Sequence, residues 1–335
     1  LLVPAMSQGL DLVFEDSLCD VWLDNSRKLI ERFSQWWGWP PIAITSSSEE
    51  PVHREVSNGR ALCFSGGVDS FYTLLSYPDP IDKIVLVHGY DIEVDDHEGA
   101  RFAFEHLAQV AEDRGIKAVM VKTNYREHYV SGKKYKYAFG GALAAIGHLL
   151  SDTRELIISA SYSYEDAVPY GSHWQTDHLY SSEAASFVHY GPELHRNEKL
   201  QKIASIPIFR KHVRVCQNNL KGSFHLSEKA INCGVCQKCI QTLLVLQQEG
   251  STDDLEVFRN RTNLDYYIYQ HPGTVDYYLR VYEEILRRGV DKKLDLSIRA
   301  LIRRSKIMKK FDWSGRKGRK LVFSILKWYD MLEKK

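Results

Sequence analysis

The chain has 335 residues and a formal net charge of +1 at pH 7, with 44% hydrophobic, 26% charged and 12% aromatic residues. This is the composition of a globular protein with enough aromatic residues for a core, and it excludes a disordered chain. No apolar run reaches 18 residues, which excludes a transmembrane helix.

The charge is unevenly distributed along the chain. Residues 291–335 contain 15 lysine and arginine residues against five acidic ones, so this tail carries +10 and the remainder −9. A basic tail on an acidic body predicts contact with a polyanion such as a nucleic acid, or with a protein partner. A solvated helical face is the alternative interpretation.

The first 58 residues predict a small α/β segment. Residues 10–14 form an apolar run, apolar residues from Leu18 to Trp37 recur at helical spacing, and residues 42–45 predict a second short strand. The polar stretch 46–51 predicts a boundary. Four of the seven tryptophans lie within residues 22–39 and predict core packing or an interface.

Strands and helices alternate from residue 60. The predicted strands are 61–64, 83–88, 117–123 and 155–160, and the predicted helices between them are 71–77, 97–114 and 137–150. This alternation predicts an α/β domain with a parallel sheet, helices on both faces and ligands at the carboxyl ends of the strands.

The sequence after the fourth predicted strand is irregular as far as residue 182, and a loop of this length is typically functional. Short helices are predicted at 197–204 and 240–248. From residue 252 onward the pattern is helical, most clearly at 275–288 and 294–308. We therefore predict an N-terminal segment (1–58), a central α/β domain (59–250) and a basic helical region (251–335).

A Ser-Gly-Gly-Val-Asp-Ser stretch at residues 65–70 lies directly after a predicted strand and opens a helix. Adjacent glycines allow a tight turn, and the unpaired amide groups of a helix start favour an anion. Asp69 could cap the helix or hold a magnesium ion. The stretch is neither a Walker loop nor a GxGxxG motif.

Four of the six cysteines cluster near one another in the sequence, at Cys216, Cys233, Cys236 and Cys239. Four thiolates are suited to a closed, structural Zn²⁺ site, and an iron–sulfur cluster takes the same ligands. This clustering indicates a metal site in a reducing cytoplasm rather than a disulfide framework.

The residues 65–70 resemble the SGGxDS motif of the PP-loop ATP pyrophosphatase superfamily. The resemblance implies a five-stranded parallel sheet of the HUP type and cleavage of ATP, with Mg²⁺, between its α and β phosphates. It also implies a pyrophosphate site at Ser65, Gly66, Gly67, Val68, Asp69 and Ser70. Adenine would meet the backbone of Val87, His88 and Gly89, after the second strand of the domain.

The order of the cysteines, with CGxCxxC after an upstream Cys216, is similar to the zinc site of the 7-cyano-7-deazaguanine synthases. That likeness covers about residues 58–250. The sixteen residues between Cys216 and Cys233 form a longer gap than this family pattern suggests.

Polar residues beyond the motif are candidates for the substrate side. His173 and Asp177, in the long loop, could act as catalytic acid and base together with Asp69 and Ser70, or could only hold the loop. Arg196 and Lys199, three positions apart, could bind phosphate or simply be solvated.

We expect a cytoplasmic, AMP-forming C–N ligase that adenylates a carboxylic acid, such as a deazaguanine-type acid, and transfers it to ammonia or an amine. The alternatives are an RNA or nucleobase sulfur transferase, which the basic tail favours, and a non-catalytic module that senses nucleotides.

Overall fold

A computed structural model describes residues 1–46, 57–128, 135–216, 230–250, 255–261, 263–270 and 276–310. Residues 47–51 of the predicted boundary at 46–51 lie outside these ranges. The end of the basic tail, residues 311–335, also lies outside them. None of the helices in the described ranges has the length and the apolar character that crossing a membrane requires.

Short strands alternate with helices through the first 190 residues, and helices follow. The strands are β1 (Leu12–Phe14), β2 (Ile44–Ser46), β3 (Arg60–Cys63), β4 (Lys83–His88), β5 (Lys117–Lys122), β6 (Glu155–Ser159) and β7 (Ser186–Tyr190). The helices are α1 (Leu2–Gln8), α2 (Asp20–Trp37), α3 (Val68–Ser76), α4 (His97–Arg114), α5 (Tyr125–His128), α6 (Tyr135–Leu149), α7 (Arg196–Ile203), α8 (Pro207–His212), α9 (Gln237–Gln248), α10 (Leu264–Gln270), α11 (Asp276–Arg288) and α12 (Lys292–Lys310).

Five strands form one parallel sheet in the order β5-β4-β3-β6-β7. The predicted α/β class is therefore confirmed. The fifth strand, β7, has no counterpart among the strands predicted from the pattern. It lies at the edge of the sheet and only Phe187 of its five residues is buried, so its sequence lacks the continuous apolar run of an inner strand.

The order of the strands reverses direction between β3 and β6. The chain moves from β3 outward to β4 and β5, then returns past β3 to form β6 and β7. Right-handed crossovers in the two directions place their helices on opposite faces. A crevice opens at the carboxyl ends of strands where such a reversal occurs.

All six residues of β4, an inner strand of the sheet, are buried. The N-cap of α4, the helix that follows, is Asp96, whose side chain accepts a hydrogen bond from the Gly99 amide at 2.8 Å. This cap satisfies one of the free amides at the start of the helix.

The N-terminal segment has the predicted strand–helix–strand pattern and also the short helix α1. The strands β1 and β2 pair in parallel. Phe33 on α2 stacks on Trp37 at 4.5 Å between ring centroids, and Trp37 contacts Tyr137 of α6 at 4.7 Å. The tryptophan cluster therefore packs against α6, the helix that precedes strand β6 of the five-stranded sheet.

The backbone divides into two compact units. The first contains Leu1–Ile203 and His212–Arg214, and the second contains Ala204–Lys211 together with the described residues from Val215 onward. The first unit holds both sheets. The second holds all four clustered cysteines and the helices α9 to α12.

Candidate functional site

The loop 65–70 connects the central strand β3 to α3, at the reversal of strand order. Gly66 has φ +75°, and a Cβ atom there would lie 3.3 Å from the Cβ of Arg214. Gly67 is the N-cap of α3 and has an extended conformation. The chain turns here because glycine enters the left-handed region without steric penalty.

The start of α3 presents main-chain amides and two hydroxyl groups. The first helical hydrogen bond runs from the Phe71 amide to the Gly67 carbonyl at 2.9 Å. The amides of Val68, Asp69 and Ser70 precede that bond and therefore have no acceptor within the helix. The Oγ atom of Ser70 donates to the Gly67 carbonyl at 3.1 Å and lies 3.5 Å from the Oγ of Ser65. These donors form a nest suited to an anion.

Two cations from α7 reach the carboxylate of Asp69. Arg196 donates a hydrogen bond to Oδ2, and the Nζ of Lys199 lies 3.7 Å from Oδ1. Lys199 is 1% exposed and donates to the carbonyl of Ala160 at 2.6 Å, just beyond β6. Burial lowers the pKa of Lys199, and the charge of Asp69 opposes this effect.

Arg214 also holds the loop, although it is absent from the residues predicted for the site. Its amide donates to the Gly66 carbonyl at 2.7 Å and its Nε to the Ser65 carbonyl at 2.9 Å. Its guanidinium lies 3.5 Å from the carboxylate of Asp91. No motif marks this residue, because it supports the loop from a distant part of the chain.

The residues predicted to meet adenine lie at the carboxyl end of β4. The last residue of β3, Cys63, pairs with Val85. In a parallel sheet the main-chain groups of alternate residues point to the same neighbouring strand. Since Val85 pairs with β3, the amide and carbonyl of Val87 also point to the β3 side, beyond the last residue that β3 pairs. The carbonyl of His88 accepts from the Thr123 amide at 2.9 Å, and the Gly89 amide donates to Ile92 at 3.0 Å.

Asp177 is fully buried and has three hydrogen-bond donors around it. Its carboxylate accepts from the Ser172 hydroxyl at 2.7 Å and from the His173 amide at 3.1 Å, and the Nδ1 of His189 lies 2.7 Å away. No hydrogen bond in the described part of the chain joins it to the loop 65–70. His189 was not predicted from the sequence, because it lies on the unpredicted strand β7.

His173 is also buried, and its ring packs at 4.8 Å against that of Trp36. Its Nδ1 accepts a hydrogen bond from the Gln175 amide at 3.1 Å. Burial and the nearby His189 lower the pKa of His173 to about 4. The ring is therefore neutral near pH 7 and carries its proton on Nε2.

A second polar cluster surrounds His195, directly before α7. The Nδ1 of His195 lies 2.8 Å from the carboxylate of Asp166 and 2.9 Å from the hydroxyl of Ser163. Its Nε2 lies 3.2 Å from Glu165. No sequence pattern singles out these residues, because they come from two segments that the sheet brings together.

The four clustered cysteines meet in the second unit. The four sulfur atoms of Cys216, Cys233, Cys236 and Cys239 all lie within 4.8 Å of one another. A tetrahedral Zn²⁺ with sulfur ligands at about 2.3 Å requires sulfur atoms about 3.8 Å apart. Cys239 lies 3.9 Å from Cys233 and 3.4 Å from Cys236, so the donor set fits such an ion.

Backbone groups shape this site. The Cys236 amide donates to the sulfur of Cys233 at 3.3 Å. Gly234 has φ +75°, and a Cβ there would lie 1.7 Å from the carbonyl oxygen of Asn260. The side chain of Asn232 accepts from the amides of Val215 and Cys216 at 2.8 and 3.1 Å. Neither asparagine is evident from the cysteine spacing.

The chain matches no family model, no curated protein and no solved structure.

Proposed function

We propose that the protein is an ATP-dependent, AMP-forming ligase that adenylates a carboxylic acid and transfers the acyl group to ammonia or an amine. The observation that carries the proposal is the loop 65–70 at the strand reversal, with Arg196 and Lys199 beside it. The local resemblance of this loop to the PP-loop motif gives the reaction class.

The loop is suited to a leaving pyrophosphate. The amides at the start of α3 and the hydroxyls of Ser65 and Ser70 are neutral donors, and Arg196 and Lys199 add positive charge. When a substrate carboxylate attacks the α-phosphorus, a new O–P bond forms and the bond to pyrophosphate breaks. Donors that are held in place before the reaction would stabilise the charge that develops on the leaving group.

Asp69 is the residue that would hold Mg²⁺ with the phosphates. Its Oδ1 is buried and has no hydrogen-bond partner among the described residues, and the Nζ of Lys199 lies 3.7 Å from it, so this oxygen would take a metal ion beside Lys199. The ion would neutralise part of the negative charge of the phosphates. Arg196 and Lys199 would then be free to contact phosphate oxygens.

Val87 is the main-chain group best placed for adenine. Its amide and carbonyl face the β3 side beyond the last pair of β3 and β4, where a planar base could use both. The crevice thus has a base end at β4 and a phosphate end at α3, in the arrangement expected for a nucleotide across a strand reversal.

The amine step requires a group that accepts a proton as the N–C bond forms and the C–O bond to AMP breaks. His195, partly exposed and one residue before Arg196, would accept this proton, and the carboxylates of Asp166 and Glu165 beside its ring would stabilise the imidazolium that forms. Asp177, with its three donors, fits a supporting role for the loop that contains His173. The identity of the acid is set by the residues after β6.

The sulfur-transferase alternative has less support. A transferase needs a nucleophilic thiolate. The cluster occupies four of the cysteines, and burial together with the charge of Asp177 raises the pKa of Cys63 to about 12. The remaining Cys19 accepts a hydrogen bond from the Glu183 amide, away from α3 in the sequence.

Pyrophosphate–ATP exchange with candidate carboxylic acids tests the reaction, with release of AMP rather than ADP as the expected product. In the presence of Mg²⁺, Ser70→Ala and Asp69→Ala should each weaken ATP binding by at least about tenfold, since the first removes a hydroxyl donor beside the phosphates and the second removes the carboxylate that would hold the ion. Ser76→Ala, at the other end of α3, is the matched control. Release of ADP, or unchanged ATP affinity in both variants, would contradict the proposal.

A further inference from the structure

The first unit contains a cavity of about 310 Å³ that is separate from the residues of the loop 65–70. Helix α6 forms one wall with the small residues Ala138, Gly141 and Ala142, and α1 and α2 contribute apolar side chains that include Trp22 and Leu29. Small residues on α6 leave the space that larger side chains would fill. The volume is at the lower end of the range for small-molecule sites, about 300–1,000 Å³.

A buried hydroxyl lines this cavity without a partner. Ser26, on α2, is 0% exposed, and its Oγ atom makes no hydrogen bond with any described residue. A serine within a helix commonly donates to the carbonyl four residues earlier, and Ser26 does not. Leaving such a group unsatisfied in an apolar site is unfavourable by about 1–3 kcal/mol.

A second hydroxyl has the same property. The phenol oxygen of Tyr180 is buried, lines the cavity and has no hydrogen-bond partner in the described part of the chain. A Cβ atom on Gly141 would lie 3.4 Å from this oxygen, so α6 passes close to the phenol without closing over it. Burial raises the pKa of Tyr180, which keeps the phenol neutral and able to donate.

The side chains that line the cavity carry no formal charge. The residues around the cavity include no lysine, arginine, aspartate or glutamate, and His148, the one histidine among them, lies with its Nε2 3.0 Å from the Tyr180 carbonyl. An ionic ligand would lose its hydration without gaining a counter-charge. A neutral ligand with a polar group beside these hydroxyls would offer them a hydrogen-bond partner and fill the apolar space.

We propose that this cavity binds a neutral, largely apolar ring compound that carries one hydroxyl or carbonyl group, which hydrogen-bonds to Ser26 and Tyr180. The inference does not depend on the proposed ligase activity, because no residue of the cavity belongs to the loop 65–70 or to α7.

Titration calorimetry of the full chain with 1-naphthol tests this site, with naphthalene as the probe that lacks the hydroxyl. We expect saturable binding of one 1-naphthol per chain and weaker binding of naphthalene. Ser26→Ala and Tyr180→Phe should each weaken 1-naphthol binding about three- to tenfold and leave naphthalene binding unchanged. Ser34→Ala is the matched control, since Ser34 lies on the same helix with a buried, unpartnered hydroxyl but outside the cavity.

Ala142→Leu and Ala145→Leu, which fill the cavity from α6, should each reduce 1-naphthol affinity more than tenfold without lowering the melting temperature. Ala145 is exposed on one side, so this variant folds even if Ala142→Leu does not. Absence of saturable binding to the folded wild-type chain would overturn the proposal. The proposal would also be overturned if 1-naphthol bound with equal affinity to the wild type, to Ser26→Ala and to a folded Ala142→Leu or Ala145→Leu variant.

Discussion

Oδ1 of Asp69 lies 3.7 Å from the Nζ atom of Lys199, and Lys199 is 1% exposed. The other oxygen of the same carboxylate accepts a hydrogen bond from Arg196. Two cations therefore share one carboxylate at the start of α3. This surplus of positive charge beside free helix amides is the electrostatic basis for binding an anion there.

Replacing Asp69 with asparagine should expose this surplus. The change removes the Asp69 charge beside buried Lys199 and leaves Glu193 as a remaining acidic neighbour, so we expect the free energy of unfolding to fall by about 1–3 kcal/mol. Added pyrophosphate, without Mg²⁺, should restore stability to Asp69→Asn more than it stabilises the wild type, because the anion replaces the missing negative charge. Urea denaturation with and without pyrophosphate measures both effects.

Asp79→Asn is the control for this prediction, since Asp79 forms a more exposed pair with Arg60 at 3.7 Å. Its effect should be below about 1 kcal/mol and insensitive to pyrophosphate. An equal response to pyrophosphate in the two variants would contradict the role given to Asp69.

The two glycines of the loop should differ in their tolerance of alanine. Gly66 has φ +75° and close contact with Arg214, whereas Gly67 has φ −78°. We expect Gly66→Ala to destabilise the protein by about 1–2 kcal/mol, and Gly67→Ala by less, because only the first forces a side chain into the left-handed region. Thermal or urea unfolding of the two variants makes the comparison, and a larger loss in Gly67→Ala would count against this account of the turn.

The loop and the cysteine cluster could be predicted because each is a short run of residues whose chemistry depends on local spacing. Arg214, His189 and Asn232 could not, because each acts on a segment far away in the chain. The edge strand β7 was missed for a related reason: a strand that is mostly half-buried loses the apolar run that identifies β4. The cavity beside α6 could not be predicted either, because the periodicity of apolar residues does not indicate which residues of α6 lie near Ser26 on α2.

His173 should make stability depend on pH. Burial holds its pKa near 4 in the folded protein against an ordinary value of 6.5. Between these values the unfolded chain binds a proton that the folded chain does not, so stability falls as the pH decreases through this window. Burial is the largest cause of this lowered pKa, His189 and Arg32 lower it further, and Asp177 opposes them. We expect a loss on the order of 2–3 kcal/mol between pH 6.5 and 4.

The test compares the wild type with His173→Asn, in which the amide oxygen can accept the hydrogen bond that Nδ1 takes from Gln175. Urea unfolding across the window should show a smaller pH dependence in this variant. His178→Asn removes an exposed histidine from the same segment and should leave the wild-type pH dependence unchanged. Parallel curves for the wild type and His173→Asn would rule out the assignment.

The cysteine cluster should bind one zinc ion per chain, and removing that ion should destabilise the second unit by several kcal/mol, on the order expected for a structural zinc site. Burial raises the pKa of Cys239, so without a metal this thiol keeps its proton in the interior. Elemental analysis and thermal unfolding with and without a chelator give the two measurements. Cys236→Ser should lower both metal content and melting temperature, whereas Cys19→Ser, outside the cluster, should change neither.

Gly234→Ala should act like Cys236→Ser, although it removes no ligand, because its Cβ would collide with the Asn260 carbonyl that borders the turn. Iron with labile sulfide in place of zinc would assign the four thiolates to an iron–sulfur cluster. A metal-free chain whose unfolding ignores the chelator would contradict a metal site of either kind.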